Sequence, residues 1–265
     1  MKKSFLLSLL FVTCVSCRET QTSQDYPVPK KIYDLGTVIT EDLPERIWGP
    51  TALASMGFSR MNKFEVIDWK FENEVGKITG SNSYFTLFNH GGPHVDAPAH
   101  MDLGGGIETY PIEVFAGPMK VFDVSSYRYG HNVPVDVFRD KVGQNDIVMI
   151  FTKYTPPQID GLMPKTITLS PEAAEYLATL PVKAFGTDAW SVMSFDDTVK
   201  VNSDSEAATL SPIHYSFLSR RIPIYEGLYR LDELVGYKQV YFVGVPLNIK
   251  DGDGMLVRPV AFVFE

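Results

Sequence analysis

The chain has 265 residues, 45% of them hydrophobic and 21% charged, with a formal net charge of −8. That length and apolar fraction suit one folded domain with its own core, and the acidic balance removes nucleic acid from the expected partners. Both cysteines, Cys14 and Cys17, lie close to the N-terminus, so the body of the chain has no internal disulfide, thiolate zinc site or cysteine nucleophile.

Lys2 and Lys3 precede the apolar run Phe5 to Val15, which is too short to span a bilayer as a helix and reads as an export signal. Ser16, Cys17 and the polar run Arg18 to Asp25 resemble the end of a bacterial lipoprotein signal. The resemblance implies a signal peptide over residues 1–16 and Cys17 as the lipidated first mature residue. The mature protein would then be exported, anchored to a membrane through lipid, on the periplasmic or cell-surface side. Cys14 stands where that signal usually carries leucine, and ordinary signal cleavage is the alternative. Residues 17–31 read as a polar linker, and residues 32–265 as one domain with no repeat and no heptad run.

His90-Gly-Gly-Pro-His94-Val-Asp96-Ala-Pro-Ala-His100 holds three of the five histidines and a carboxylate. Gly91, Gly92, Pro93 and Pro98 exclude a continuous helix, so the spacing is that of extended chain. His90, His94, Asp96 and His100 then share one face, because side chains alternate with period two. Residues two apart on that face are roughly 6.6 Å apart, a gap that one ion can close. His90 and His100 would be about 33 Å apart in a straight strand, so both meet one centre only if the chain bends at the glycines and prolines.

Apolar runs rich in β-branched and aromatic residues follow at Val121 to Val124, Asp146 to Phe151, Val182 to Phe185, Val240 to Val245 and Val257 to Phe264, and are predicted strands. Ser170-Pro171 and Ser211-Pro212 each carry a helix-start signature, serine at the cap and proline at the first position. A mixed α/β domain is expected. His214 falls in the first turn of the second helix, whose buried face is marked by Ile213 and Phe217. The short run Ile222 to Tyr225 then delivers Glu226 at the end of a strand. Asp251-Gly-Asp253-Gly254 lacks the further ligands and terminal glutamate of a calcium loop and is expected to be a hairpin turn.

The ordered set His90-x3-His94-x-Asp96-x3-His100 and His214-x11-Glu226 resembles the bacterial cyclase-family metal hydrolases, which include kynurenine formamidase and isatin hydrolase. Asp34-Leu35, Ile107 to Ser125, Asp146 to Tyr154, Leu169 to Ser191 and Pro246 to Ala261 extend the resemblance over residues 32 to 265. It implies a swivelling β/β/α fold, a homodimer or homotetramer, and hydrolysis of a small amide or imide. By position, His90, His94 and Asp96 are similar to ligands of one ion, and Asp96 bridges to a second held by His214 and Glu226. His100 matches the family's acid/base, and Trp48, Asp188 and Trp190 are candidates for substrate contact. Pro93, Met101 and Lys153 depart from the family's threonine, aromatic and glycine, which touches the pocket rather than the ligands.

Nitrogen and oxygen donors suit Zn²⁺ or Mn²⁺. The resemblance makes N-formylkynurenine, in tryptophan catabolism to kynurenine, the default substrate, and export places a related aryl or cyclic amide beside it. Two other readings stand. His94, Asp96 and His214 also form a two-histidine, one-carboxylate set of the non-haem Fe(II) oxygenase type, and a surface lipoprotein can capture metal or ligand without turnover.

Overall fold

The computed structural model describes residues 27–48, 62–129, 132–155, 166–193 and 211–265. The strands in chain order are β1 (Lys31–Asp34), β2 (Lys63–Asn73), β3 (Gly76–Thr86), β4 (His94–Asp96), β5 (Ala116–Asp123), β6 (Ile147–Phe151), β7 (Ala184–Thr187), β8 (Ile224–Glu226), β9 (Val240–Val243), β10 (Gly254–Leu256) and β11 (Val260–Val263). The helices are α1 (Leu43–Trp48), α2 (Pro171–Thr179) and α3 (Pro212–Leu218). Nine strands share one sheet in the order β1-β11-β9-β5-β6-β7-β8-β4-β10. Its centre, β5 to β8, is parallel, and both flanks are antiparallel. The expected α/β single domain is what forms.

Period-two alternation divides the core. On β6, Ile147 and Met149 join one apolar layer with Met119, Tyr225 and Phe242, while Val148 and Ile150 join the other with Phe185, Leu177 and Phe217. The second layer is the one covered by α2 and α3. Ser170 Oγ accepts from Ala173 N at 3.0 Å at the start of α2, a cap that stabilises by about 1 kcal/mol. Ala173, Ala174, Leu177 and Ala178 turn the buried face of α2 inward, and burial of Leu177 alone contributes about 2 kcal/mol.

β2 and β3 form a separate two-stranded ribbon, closed at Glu74 and Val75, where Asn73 Oδ1 accepts from Val75 N and Gly76 N. Ile67, Trp69, Phe71, Ile78 and Tyr84 fall on one face of it by register. Phe71 remains 70% exposed and Ile78 65% exposed, so among the described residues the ribbon has no core beneath it.

Candidate metal centre

Strand register brings the acidic and histidine side chains together. β4 pairs with β8 so that His94 faces Glu226 and Asp96 faces Ile224, and paired residues point to the same side of a sheet. Ile224 belongs to the apolar layer under the helices, so His94, Asp96 and Glu226 point toward that side too. α3 packs there through Ile213 and Phe217 and supplies His214 from its first turn. The bend at Gly91 to Pro93 and the 3₁₀ turn Pro98–Met101 fold the segment back on itself. The rings of His90 and His100 thereby come to 4.4 Å centroid to centroid.

Asp96 is the centre of the cluster. Its Oδ1 lies 3.0 Å from His90 Nδ1 and 3.2 Å from His94 Nε2, and its Oδ2 lies 3.7 Å from His214 Nε2. Glu226 Oε2 is 3.4 Å from His94 Nε2, and its Oε1 is 3.4 Å from His214 Nε2. All five side chains are buried, Asp96 completely. Both Asp96 oxygens are buried with no hydrogen-bond partner, an arrangement that costs several kcal/mol unless a cation compensates it.

Each of the three buried histidines turns one nitrogen toward this centre and has the other tied elsewhere. His94 Nδ1 donates to Gly92 O at 2.9 Å, His90 Nε2 to Asp253 Oδ2 at 2.9 Å, and His214 Nδ1 is hydrogen-bonded to Ser211 Oγ at 2.6 Å. Such outer bonds fix the tautomer and ring orientation of a metal ligand. Glu226 Oε1 accepts from Val192 N at 2.6 Å. The donor set, three imidazole nitrogens and two carboxylates without thiolate, fits a borderline divalent ion.

The charges are strongly coupled. Burial depresses His94, but the carboxylates of Asp96 and Glu226 outweigh it and push its pKa up to about 10. Burial would raise Asp96, yet the imidazoles of His100, His94 and His90 hold it well below the usual carboxylate range. Glu226 is pushed up by burial and by Asp96, and brought below its ordinary value by His214 and His94.

His100 differs from the other three histidines here in standing at the rim, with its side chain 32% exposed. One of its nitrogens lies within 4.8 Å of Asp96 and His214 ligand atoms. Asp188 accepts from Thr152 N, Thr152 Oγ1 and Tyr154 N at 2.8, 2.7 and 3.0 Å, which anchors the loop after β6. Trp190 is buried against Leu43 and Ile47 and, with Lys153, Tyr154, Asp188 and Tyr229, lines a cavity of about 310 Å³. Trp48 ends α1, but its side chain and Cys17 lie outside the described residues.

Two sequence readings are corrected. Ser211 makes no side-chain cap to α3; its hydroxyl is bonded to the His214 ring instead. Asp251 to Gly254 is not a hairpin turn, because the strand that follows pairs with β4 rather than with β9. The turn instead delivers Asp253 to His90 and His100, a contact that no local spacing could announce.

The family model described as "Putative cyclase" matches residues 33–193. The chain is 30% identical over 180 residues to the kynurenine formamidase of Salinibacter ruber (strain DSM 13855 / M31), covering 66% of this chain and 76% of that one. It is 27% identical over 237 residues to the kynurenine formamidase of Erythrobacter litoralis (strain HTCC2594), covering 87% and 93%. Isatin hydrolase A from Labrenzia aggregata, bound to benzyl benzoate, superposes with a TM-score of 0.64 at 21% identity, covering 89% of this chain and 94% of that one. Isatin hydrolase A from Ralstonia solanacearum gives a TM-score of 0.63 at 20% identity, covering 88% and 92%. These two structural likenesses speak to the fold alone, and agree with the mixed α/β sheet described above. By the family match and the Salinibacter relative, the chain belongs to the cyclase family.

Proposed function

We propose that this chain hydrolyses the carbon–nitrogen bond of a small aryl amide or cyclic imide, using two divalent ions, Zn²⁺ or Mn²⁺, per chain. His90, His94 and Asp96 would hold one ion, and His214 and Glu226 the other, with Asp96 shared. The observation that carries the reading is Asp96, a fully buried carboxylate whose two oxygens have no hydrogen-bond partner and face histidine nitrogens on both sides. Bound there, a divalent ion lowers the pKa of water from roughly 15.7 to about 7 and polarises the carbonyl under attack.

The chain's own residues do the rest. His94, His214 and Glu226 are buried and tied by their outer hydrogen bonds, so little reorganisation accompanies the reaction. His100, at the rim, takes the proton of the attacking water and returns it to the leaving nitrogen, a contribution of about 10² to 10⁴ in rate. The hydroxyl ends on the carbonyl carbon and the proton on nitrogen, giving a carboxylic acid, which ionises in water, and an amine from an amide or a primary amide from an imide. Relatives named kynurenine formamidase and neighbours named isatin hydrolase support an aryl formamide or a cyclic amide as substrate class. Trp48, Asp188 and Trp190 are the candidate substrate contacts.

Metal analysis of the purified protein, followed by turnover of N-formyl aryl amides and cyclic imides before and after chelation, tests this reading. Bound metal, with activity lost to the chelator and restored by Zn²⁺ or Mn²⁺, is the expected result. Metal binding without turnover across the panel, or oxygen consumption with Fe²⁺, would overturn it.

Residues 1–16 as a signal peptide and Cys17 as a lipid anchor belong to the same proposal, supported by the sequence pattern. Among the described residues, no helix is long and apolar enough to cross a membrane. Mass spectrometry showing an unmodified Cys17 thiol in membrane-fraction protein would remove the anchor. A homo-oligomer is supported by the exposed apolar face of the β2–β3 ribbon, since a two-stranded ribbon alone is marginally stable in water; a monomer by light scattering would refute it.

A further inference from the structure

We propose that Asp253 is a positioning residue that holds the ligand His90 and the acid/base His100 on a single carboxylate. The inference rests on the metal-ligand reading of His90 given above. Asp253 immediately precedes β10, and the pairing of β10 with β4 sets Gly254 opposite Asp96. The chain is fixed there by Ala97 N donating to Asp253 O at 2.9 Å. Its carboxylate is therefore presented beside the cluster from a strand, not from a free loop.

The contacts divide between the two oxygens. Oδ1 accepts from Asn89 Nδ2 at 2.5 Å, and the same amide nitrogen is 3.2 Å from Gly254 O. Oδ2 accepts from His90 Nε2 at 2.9 Å and lies 3.7 Å from His100 Nδ1. A carboxylate accepts and does not donate, so with an ion on Nδ1, which faces Asp96 at 3.0 Å, the one remaining proton of His90 would sit on Nε2 and be donated to Asp253. The two rings lie 4.4 Å apart at 32°, nearly stacked, and so share that oxygen along one edge.

A second feature holds the His90 ring in that plane. A Cβ on Gly254 would come within 2.7 Å of His90 Cε1 and 3.1 Å of Nε2, so the imidazole lies directly against the β10 backbone. Glycine at 254 admits the ring, and Asp253 fixes which of its nitrogens points inward. Without the carboxylate, His90 can take the other tautomer, and His100 loses the acidic group at its Nδ1 edge.

The test is a Zn²⁺ titration against a competing chelator, run on the full mature chain and on its Asp253→Ala, Asp253→Glu and His90→Ala variants, together with kcat and KM on an N-formyl aryl amide. Asp253→Ala is expected to weaken metal binding by about 10- to 100-fold and to lower kcat with KM little changed. Asp253→Glu should recover part of both, which a general loss of stability would not do. Should Asp253→Ala fail to fold, the isosteric Asp253→Asn takes its place with the same readouts. Metal affinity and kcat within twofold of the parent in the Asp253 variants, while His90→Ala loses metal, would overturn the inference and leave the ligand reading intact. A His90→Ala variant that binds metal like the parent would overturn both.

Discussion

Metal affinity should climb steeply with pH, because a proton occupies the place of the ion. In the metal-free chain the His94 pKa is pushed up to about 10: burial opposes the charge, but Asp96 and Glu226 outweigh it. The nitrogen that faces those carboxylates, Nε2, lies 3.2 Å from Asp96 and 3.4 Å from Glu226, and an ion must displace its proton. One displaced proton makes the apparent association constant about tenfold larger for each pH unit, hence about 100-fold between about pH 7 and about pH 9. His90 is also raised, burial being outweighed by Asp253 and Asp96, and steepens the dependence.

The sign for stability runs the other way. A pKa raised from 6.5 to about 10 stabilises the metal-free fold fully below the unfolded value, and that contribution is lost as pH rises through about 10. The melting temperature of stripped protein should therefore fall between those values, while that of loaded protein holds. Chelator competition at several pH values measures the affinity, and calorimetry in two buffers of different ionisation enthalpy counts the protons released. An association constant that stays within twofold from about pH 7 to about pH 9 would refute the argument.

His100→Asn should retain metal and lose about 10²- to 10⁴-fold in kcat; near-normal turnover in that variant removes the acid/base assignment. Ser211→Ala should weaken metal binding by about 10- to 100-fold through the freed His214 ring, with Ser211→Thr restoring it, and an unchanged titration would count against the role. Gly227→Ala forces a side chain onto a residue at φ +69° whose Cβ would meet Trp190 Cζ3 at 2.2 Å. Strain and overpacking together should cost about 2–5 kcal/mol by urea denaturation, and a loss under about 1 kcal/mol would contradict that packing.

Several elements were legible because their signals are local. The run Asp146 to Phe151 became β6 (Ile147–Phe151), and Ser170-Pro171 opened a capped helix, as alternation and capping chemistry require. The β2–β3 ribbon was not read, since its charged residues interrupt every apolar run: Lys63, Glu65, Asp68, Lys70 and Glu72 share β2 with Phe64, Val66, Ile67, Trp69 and Phe71. Lys153, which departs from the family's glycine, sits at φ 58°. That is the left-handed region where glycine is the unstrained choice, and it lies two residues beyond the end of β6.

The residue types in His90 to His100 and the glycines and prolines between them were enough to exclude a helix and to point to a bent metal-binding segment. Which distant groups complete that segment depended on the pairing of β4 with β8 and β10 and on the docking of α3. A period of two or 3.6 states which face a side chain occupies, but not which strand will lie beside it. The convergence of His214 and Glu226 on Asp96, the redirection of Ser211 from the helix cap to an imidazole, and the arrival of Asp253 were therefore decided only when the sheet closed its register.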